Sequence, residues 1–400
     1  MGVRRRYCES VESAVVPAPP GGAGTQPVVA PPPAAKARSF HIPSLDGLRA
    51  VAFLIVFVAH AHLGDRIPGG FGVTVFFFLS GYLITTLLRI EKERTGTISL
   101  RDFYLRRALR ILPPFYVVLL LAVLTTAAGV TPGSLQLKPM LALLGHFTNY
   151  WQVHAGTEGM PPGTGVYWSL AVEEHFYLAF PCLYLLLLRL LPGRTRLQAA
   201  VLLGLCAAVL AWRTTLTLFL HPPADRTYMA TDARVDSILF GCALALGANP
   251  VLDRPGGTSW AWRYVLLPLA AAGLFASWLY RAPWFRESLR YSLQGVCLAP
   301  VFVVAMRNPR WGPFWLLNRR WVRHVGVLSY SLYLLHHVVI YGFDVWMPET
   351  PIVVRGALAL AVALAISEAI HRVIEKPCAL KRQQLAHTNW LVPAGSAPGP

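Results

Sequence analysis

Long apolar runs recur along most of the chain and give the first structural prediction. Each run is about 17 to 25 residues long, the length that an α-helix needs to cross a hydrocarbon core about 30 Å thick. Transmembrane β-strands would instead read as segments of about ten residues with alternating polarity. The pattern therefore predicts an all-α, polytopic integral membrane helical bundle with about ten transmembrane helices. The predicted spans cover residues 43–63, 70–90, 111–129, 166–188, 197–220, 232–249, 264–280, 288–306, 322–346 and 351–371.

The amino-acid composition agrees with that prediction and excludes an ordinary soluble enzyme. Of the 400 residues, 55% are hydrophobic and only 14% are charged, and the mean hydropathy is +0.48. We expect residues 1–42 to form a disordered cytoplasmic tail rich in Pro, Ala and Gly, 43–377 the membrane domain and 378–400 a short cytoplasmic tail. The stretch 138–153 is apolar but too short to cross, so we expect a re-entrant or interfacial helix there.

Basic residues indicate which ends of the spans face the cytoplasm, because short cytoplasmic loops accumulate Lys and Arg. With the N-terminus inside, 26 of the 36 Lys and Arg residues fall in cytoplasmic segments and six fall in outer loops. Both termini are therefore predicted to be cytoplasmic, in a multi-pass protein of the plasma membrane. The net charge of +17 follows this rule, so we favour anionic lipid or an anionic cytoplasmic substrate over nucleic acid as its partner.

The sequence predicts no metal site. Its six cysteines are scattered without a C-x-x-C spacing. Glu173, Glu174 and His175 are consecutive, but residues one apart diverge on a helix, and the H-E-x-x-H motif is absent. We therefore expect neither a bound metal nor a disulfide framework.

The first span carries ionisable residues at two depths, and such residues in a membrane are candidates for function. Arg49 and His60 are eleven residues apart, about three turns plus 20°, so they share one helix face about 16 Å apart. That face could hold an anion at the cytoplasmic end and a general base deeper in the membrane. Alternatively, Asp46 pairs with Arg49, and His60 is a satisfied interior histidine. His62 lies about 200° round the helix, so only one of the two histidines can face a given site.

The most basic loop precedes the third span and ends at two prolines. Arg107 and Arg110 are at i, i+3 and could grip phosphates together, although they could also serve only to set topology. In the fourth span, Glu173 and Glu174 need partners inside a bilayer. We consider Arg49, His60 and Arg234 as those partners.

Further polar residues line predicted helix faces in the fourth, sixth and ninth spans. Ser329, Tyr333 and His336 form one stripe of the ninth span, which favours a hydrogen-bonded cavity wall over a nucleophilic serine, because a G-x-S-x-G turn is absent. The residues that we assign to a substrate cavity are Asp46, Trp168, Ser169, Glu174, Arg234, Asp236, Ser329, Tyr333 and His336.

Together these residues resemble the acyltransferase family 3 proteins, integral membrane enzymes that O-acylate sugars of surface glycans and of glycosylated secondary metabolites. The resemblance extends from Ser44 to Pro377. It departs from the family at His175, where glutamine is frequent, and at His337, where tryptophan is common. Its motifs are Arg49-x10-His60, Phe78-Leu79-Ser80-Gly81-Tyr82, Arg107-x-x-Arg110, Trp168-Ser169-Leu170 with Glu173, Arg234-x-Asp236, Ser329-Tyr330-Ser331-Leu332-Tyr333 with His336, and Ile374-Glu375-Lys376-Pro377.

The resemblance implies a reaction and roles for five residues. Acyl-CoA, most simply acetyl-CoA, would enter from the cytoplasm as a co-substrate, with no permanently bound cofactor. Arg107 and Arg110 would contact its phosphates, with Arg49 deeper on the same side. His60 would deprotonate the acceptor hydroxyl, and Glu173 would orient or charge a partner in the cavity.

The acceptor is the least defined part of this prediction. Only 23 residues follow Pro377, so we expect a standalone transferase without the fused extracytoplasmic hydrolase-like domain of some family members. This favours a sugar or macrolide of a secondary metabolite as acceptor, with a cell-envelope polysaccharide as the alternative. A transporter or flippase is a rival class, which inverted repeats with broken helices would indicate. A non-catalytic scaffold or sensor is a further one.

Overall fold

The structure, a computed structural model, describes residues 42–64, 67–253 and 258–390, and every regular element in these ranges is helical. The predicted N-terminal tail, apart from Ile42, and the last ten residues lie outside the described residues. In chain order the α-helices are α1 (Pro43–His60), α2 (Gly69–Thr95), α3 (Leu100–Ala127), α4 (Leu137–Leu144), α5 (Thr148–Ala155), α6 (Trp168–Leu190), α7 (Thr195–Thr215), α8 (Ala224–Met229), α9 (Thr231–Arg234), α10 (Asp236–Gly247), α11 (Leu267–Leu279), α12 (Pro283–Glu287), α13 (Leu289–Arg307), α14 (Phe314–Leu317), α15 (Arg320–Trp346), α16 (Ile352–Ile370) and α17 (Lys376–Trp390).

Nine helical segments within the described ranges are long and apolar enough to cross a bilayer. They correspond to α1, α2, α3, α6, α7, α11, α13, α15 and α16. Single π-helical turns extend α7 to Leu220, start α11 at Trp262 and join α16 to α17. The prediction of a polytopic all-α bundle is confirmed, and the chain is a multi-pass membrane protein. Helix α2 lies at the centre of the bundle. In its most apolar 18-residue stretch 78% of the residues are buried, against 17% for α11 at the periphery.

The sixth predicted span, 232–249, is present as α9 and α10, with an interruption at Val235. This segment runs alongside α2 and parallel to it. Arg234 Nη2 donates to Thr74 Oγ1 at 3.2 Å near one end, and Asn249 Nδ2 donates to Thr86 Oγ1 at 2.8 Å near the other. Twelve residues of α2 separate these contacts, a rise of about 18 Å. The segment is thus shorter than the nine others but accompanies α2 through the bundle.

Two glycines let α2 and α10 pack backbone to backbone. A Cβ at Gly81 would overlap the carbonyl oxygen of Ile238, and a Cβ at Gly241 would overlap that of Phe78. Small residues are the usual means by which membrane helices approach closely. The two glycines therefore fix the spacing of the central helix pair.

The third helix begins at Leu100, eleven residues before the predicted span. Ser99 caps it, because its Oγ accepts from the backbone N–H of Asp102 at 3.3 Å. Pro113 and Pro114 do not end the helix. In a membrane bundle, neighbouring helices can satisfy the backbone carbonyl groups that a proline leaves without a hydrogen bond. Arg107 and Arg110 therefore lie on a helix, not in the loop where the sequence analysis put them.

Two other boundaries differ from the predicted ones. The apolar stretch 138–153 forms two helices of eight residues, α4 and α5, instead of one. The last helix continues to Trp390, past the boundary that we predicted at Pro377. Length and composition alone had suggested a tail there, but α17 packs against α3 and so continues the helical structure.

Candidate active site

A cavity that encloses about 90 Å³ lies between α1, α2, α3, α6 and α15. Polar groups converge on it from all five helices, although α6 and α15 are distant from α1, α2 and α3 in sequence. Seven lining residues were candidates from the sequence. These are Arg49, Arg107, Arg110, Glu173, Ser169, Ser329 and Tyr333, and they are joined by Ser80, Tyr177 and Tyr330.

The cavity carries three guanidinium groups at its predicted cytoplasmic side. Arg49 Nη1 lies 3.2 Å from Asp46 Oδ1, so the first-span pair that we considered as an alternative does form. Arg107 and Arg110 have no carboxylate within 4 Å among the described residues, while their neighbour Arg106 is paired with Glu91 at 2.6 Å. Two guanidinium groups thus remain available to an anionic ligand.

Glu173 is hydrogen-bonded within its own helix, and of the partners that we considered, Arg49 lines the same cavity. Its Oε2 accepts from Tyr177 Oη at 2.9 Å, and Tyr177 Oη is also hydrogen-bonded to Ser80 Oγ. Tyr177 follows Glu173 by four residues, so the i, i+4 spacing could have pointed to it. Glu174 does not line the cavity, and its Oε1 is buried without a hydrogen-bond partner among the described residues.

A histidine pair lies at the other end of α1. His60 Nδ1 and His336 Nε2 are 3.1 Å apart, and the His337 ring centroid is 4.7 Å from that of His60. His336 is fully buried against Phe53, and its Nδ1 lies 2.7 Å from the carbonyl oxygen of Tyr333.

These distances assign the protons of the pair. A carbonyl oxygen can only accept, so Nδ1 of His336 carries the hydrogen. An uncharged His336 then has its lone pair on Nε2, which accepts from Nδ1 of His60. His60 is left with an unprotonated Nε2, the atom that a general base needs. His62 lies beyond the helix end with φ 55° and does not continue the α1 face.

An aromatic layer separates the histidine pair from the cavity. Tyr333 Oη is 2.6 Å from Ser169 Oγ, and its ring centroid lies 5.6 Å from that of His336. Phe76 packs against Tyr333 at 5.8 Å. Both aromatic residues line the cavity, whereas His60 does not. Of the predicted stripe, Ser329 and Tyr333 thus line the cavity, and His336 lies behind Tyr333.

Arg234 lies outside the cavity, in an aromatic cage. Its Cζ is 3.7 Å from the centroid of Tyr291 and 5.9 Å from that of Trp168. The side chain is fully buried, and its Nη2 donates to Thr74. Nε and Nη1 of Arg234 have no hydrogen-bond partner among the described residues. Such orphaned donors are costly at this depth unless a ligand or water meets them.

Asp236 also lies away from the cavity, because a different arginine binds it. Arg213 Nη2 is 2.9 Å from Asp236 Oδ2, and Nη1 also donates to the carbonyl oxygen of Ala233. Ser292 Oγ also donates a hydrogen bond to Asp236 Oδ2 at 2.8 Å. Arg213 and Asp236 are both fully buried. This ion pair joins α7, α10 and α13, a structural role that the sequence did not indicate.

The described chain is thus an all-α membrane bundle with an arginine-lined cavity and a buried histidine pair. Residues 42–372 match the family model described as acyltransferase domain (Acyl_transf_3), and the chain belongs to that family.

Curated relatives carry related names. The chain is 29% identical to peptidoglycan O-acetyltransferase OatA of Listeria monocytogenes over 84% of its own length and 56% of that protein. It is 29% identical to the putative peptidoglycan O-acetyltransferase YrhL of Bacillus subtilis over 84% of its length and 55% of that protein. The chain thus spans about half the length of the curated relatives it matches. No solved structure matches it.

Proposed function

We propose that the protein is a membrane O-acyltransferase that moves an acetyl group from acetyl-CoA to a hydroxyl of a cell-envelope saccharide. One observation carries the proposal. A single face of α1 joins an arginine-lined cavity at one end to His60, which is hydrogen-bonded to His336, at the other. A transferase of this kind needs a site for an anionic thioester and a base for a hydroxyl.

The donor end of the reaction uses the arginine cavity. Free guanidinium groups of Arg107 and Arg110 suit the phosphates of CoA, with Arg49 further in. The cavity of about 90 Å³ is far smaller than CoA, so only the acyl end of the donor enters it. The nucleotide remains at the cytoplasmic mouth, where the basic residues of the third helix begin.

The acceptor end uses His60. Its Nε2 takes the proton of the acceptor hydroxyl while the oxygen attacks the thioester carbonyl. The new C–O bond forms, the C–S bond breaks, and the CoA sulfur leaves and takes up a proton. Glu173 orients its partner Tyr177 within the cavity through their hydrogen bond. Because Tyr333 and Phe76 separate the two ends, they must move aside during transfer.

The names of the relatives guide the choice of acceptor. OatA of Listeria monocytogenes and YrhL of Bacillus subtilis are both named for peptidoglycan O-acetylation. This favours a cell-envelope polysaccharide over the sugar or macrolide of a secondary metabolite, which the sequence alone had favoured.

The test is acetyl transfer by purified protein in lipid nanodiscs, with labelled acetyl-CoA and soluble peptidoglycan fragments. We expect product from the wild type and at least about 100-fold less from His60→Ala, because general bases contribute about 10²–10⁴-fold. His62→Ala is the matched control and should retain wild-type activity, since His62 lies off the α1 face. A folded His60→Ala protein that transfers at the wild-type rate would contradict the proposal. If acetyl-CoA does not bind at all, the assignment of acetyl-CoA as the donor is wrong.

A further inference from the structure

A second concave site lies at the opposite end of the bundle from the arginine cavity. We call it the outer vestibule. It encloses about 400 Å³, within the size range of small-molecule sites. Its walls come from the start of α2, from α8 and from the α11–α13 connection. All three segments are extracytoplasmic in the orientation given by the Lys and Arg distribution.

Aromatic side chains form much of the vestibule wall. Tyr228, Trp278, Tyr280 and Tyr291 all line it. An aromatic side chain of this kind offers a flat apolar face and a polar edge. It is suited to a ligand ring whose faces carry C–H groups and whose edge carries polar substituents. A purely apolar ligand would not need the charged groups that surround these rings.

Charged groups of both signs surround the aromatic faces. Asp225 and Glu287 supply carboxylates, and Arg281, Arg286 and Arg290 supply guanidinium groups. A site for an anion or a cation would carry mainly one sign of charge. Paired donors and acceptors around aromatic rings instead match a ligand with several hydroxyl groups, each of which both donates and accepts.

Arg234 fixes the aromatic wall from behind. Its guanidinium stacks on Tyr291 at 3.7 Å and lies 5.6 Å from the Tyr228 centroid. Arg290 Nη2 also donates to Tyr291 Oη at 2.9 Å, and Tyr228 packs on Trp168 with centroids 4.8 Å apart. The rings are thus held in place before any ligand arrives, which lowers the entropic cost of binding.

The vestibule lies beside the base that the proposed reaction requires. Gly69 is part of its wall, and a Cβ on Gly69 would be 2.8 Å from the Cβ of Ala59. Ala59 directly precedes His60. A ligand in the vestibule is therefore close to the depth of the His60 ring, at the end of α1 away from the arginines.

We propose that the outer vestibule binds the saccharide acceptor, with its aromatic rings against the sugar faces and Asp225 and Glu287 accepting from sugar hydroxyls. The inference rests on the proposed acetyl transfer for its biological meaning. The binding itself can be measured without a donor, so the two proposals can fail separately.

The binding test uses saturation-transfer NMR on the full chain in nanodiscs. The probes are a β-1,4-linked N-acetylglucosamine tetramer, methyl β-glucopyranoside and methyl α-rhamnopyranoside, with inorganic phosphate as a probe for an anion site. We expect saturable binding of at least one sugar and an increase in its Kd of at least about tenfold in the Asp225→Asn, Glu287→Gln double variant, because each change weakens a charged hydrogen bond. Glu349→Gln, at an exposed position in another outer loop, is the matched control and should bind as the wild type does.

The outcomes separate the two proposals. If no sugar binds at tens of millimolar, if phosphate binds instead, or if the double variant binds sugar like the wild type, the vestibule is not the saccharide site. Acetyl transfer by the same preparations tests the proposed function independently. Sugar binding that is weakened in the double variant, without acetyl transfer by the wild type, would support the vestibule and count against the function.

Discussion

In the proposed reaction, the two ring nitrogens of His60 have different tasks. Nδ1 faces His336, which is itself held by the Tyr333 carbonyl oxygen, so the orientation of the His60 ring is fixed from α15. His336 touches neither donor nor acceptor in the proposed reaction. We therefore expect His336 to act as a positioning residue, with an effect that passes entirely through His60.

Replacing His336 should therefore disturb the ring of His60. We expect His336→Phe to lower kcat by about 100-fold, the scale of a misplaced catalytic group, with little change in the KM for acetyl-CoA. His336→Gln keeps an acceptor oxygen and should recover part of the rate, which a purely structural role would not explain. Steady-state kinetics of the three proteins, with circular dichroism to verify folding, would check this. Equal rates for Phe and Gln variants would contradict it.

Arg107 and Arg106 are adjacent in sequence but differ in pairing. Arg106 is neutralised by Glu91, whereas Arg107 lines the cavity beside the Tyr177 ring. Arg107→Ala should raise the KM for acetyl-CoA by about tenfold or more, as expected for a lost charged hydrogen bond, and leave acceptor KM nearly unchanged.

Arg106→Ala is the matched control for that prediction. It removes the same charge one position away and should leave the KM for acetyl-CoA close to the wild-type value. If both variants weaken donor binding equally, general electrostatic attraction would explain the arginines better than a specific phosphate contact.

At the scale of elements, the glycine contact between α2 and α10 should set stability. A methyl group at Gly241 cannot fit against the Phe78 carbonyl unless the helices separate. Gly241→Ala should destabilise the protein by about 1–3 kcal/mol, the usual cost of overpacking. Gly204→Ala in α7, where a Cβ would meet nothing within 4 Å, should be neutral or slightly stabilising. Thermal unfolding in detergent would compare the two, and equal losses would refute the packing argument.

The buried pair of Arg213 and Asp236 holds three helices together. Asp236→Asn leaves a charged guanidinium without its counter-ion in the bundle, so we expect a loss of about 3–5 kcal/mol. Glu93→Gln weakens the exposed contact with Arg89 and should cost at most about 1 kcal/mol. Unfolding in increasing concentrations of a denaturing detergent would measure the loss of stability in both variants. Similar costs for the two variants would show that Asp236 is not an isolated buried partner.

At the scale of the whole molecule, features within one helix were predictable, whereas contacts between distant helices were not. The shared helix face of Arg49 and His60 could be predicted, because the two residues are eleven positions apart and each residue of an α-helix turns by about 100°. Tyr177 could have been found in the same way, at four residues from Glu173. Arg213 could not be matched to Asp236, because their contact depends on how α7 meets α10.

The boundaries of the third helix illustrate the same difference. Pro113 and Pro114 are strong breakers by local rules, so the sequence predicted a loop before them. In the structure, the packed neighbours of α3 keep it continuous, and Tyr330 Oη donates to the carbonyl oxygen of Ile111 beside the prolines. This tertiary support carries Arg107 and Arg110 onto a rigid helix, where they face the cavity.

The aromatic layer of Tyr333 and Phe76 should act as a barrier to water across the whole bundle. Tyr333→Ala would open a wet path between the cavity and the histidine pair, so we expect acetyl-CoA hydrolysis to rise relative to acetyl transfer. Tyr333→Phe keeps the ring and should change that ratio much less. Product analysis with labelled acetyl-CoA would give both rates, and an unchanged ratio in Tyr333→Ala would contradict the barrier.

The spacing of Arg49 and His60 on one helix has an electrical consequence. In the proposed reaction, the thiolate of CoA takes up a proton on the cytoplasmic side, while His60 releases one about 16 Å further out. Each turnover then moves positive charge outward, against a potential that is negative inside, at up to about 2.3 kcal/mol per 100 mV for a full crossing. Acetyl transfer would in that case be slower in energised vesicles than in depolarised ones, and the medium outside would acidify by one proton for each ester formed.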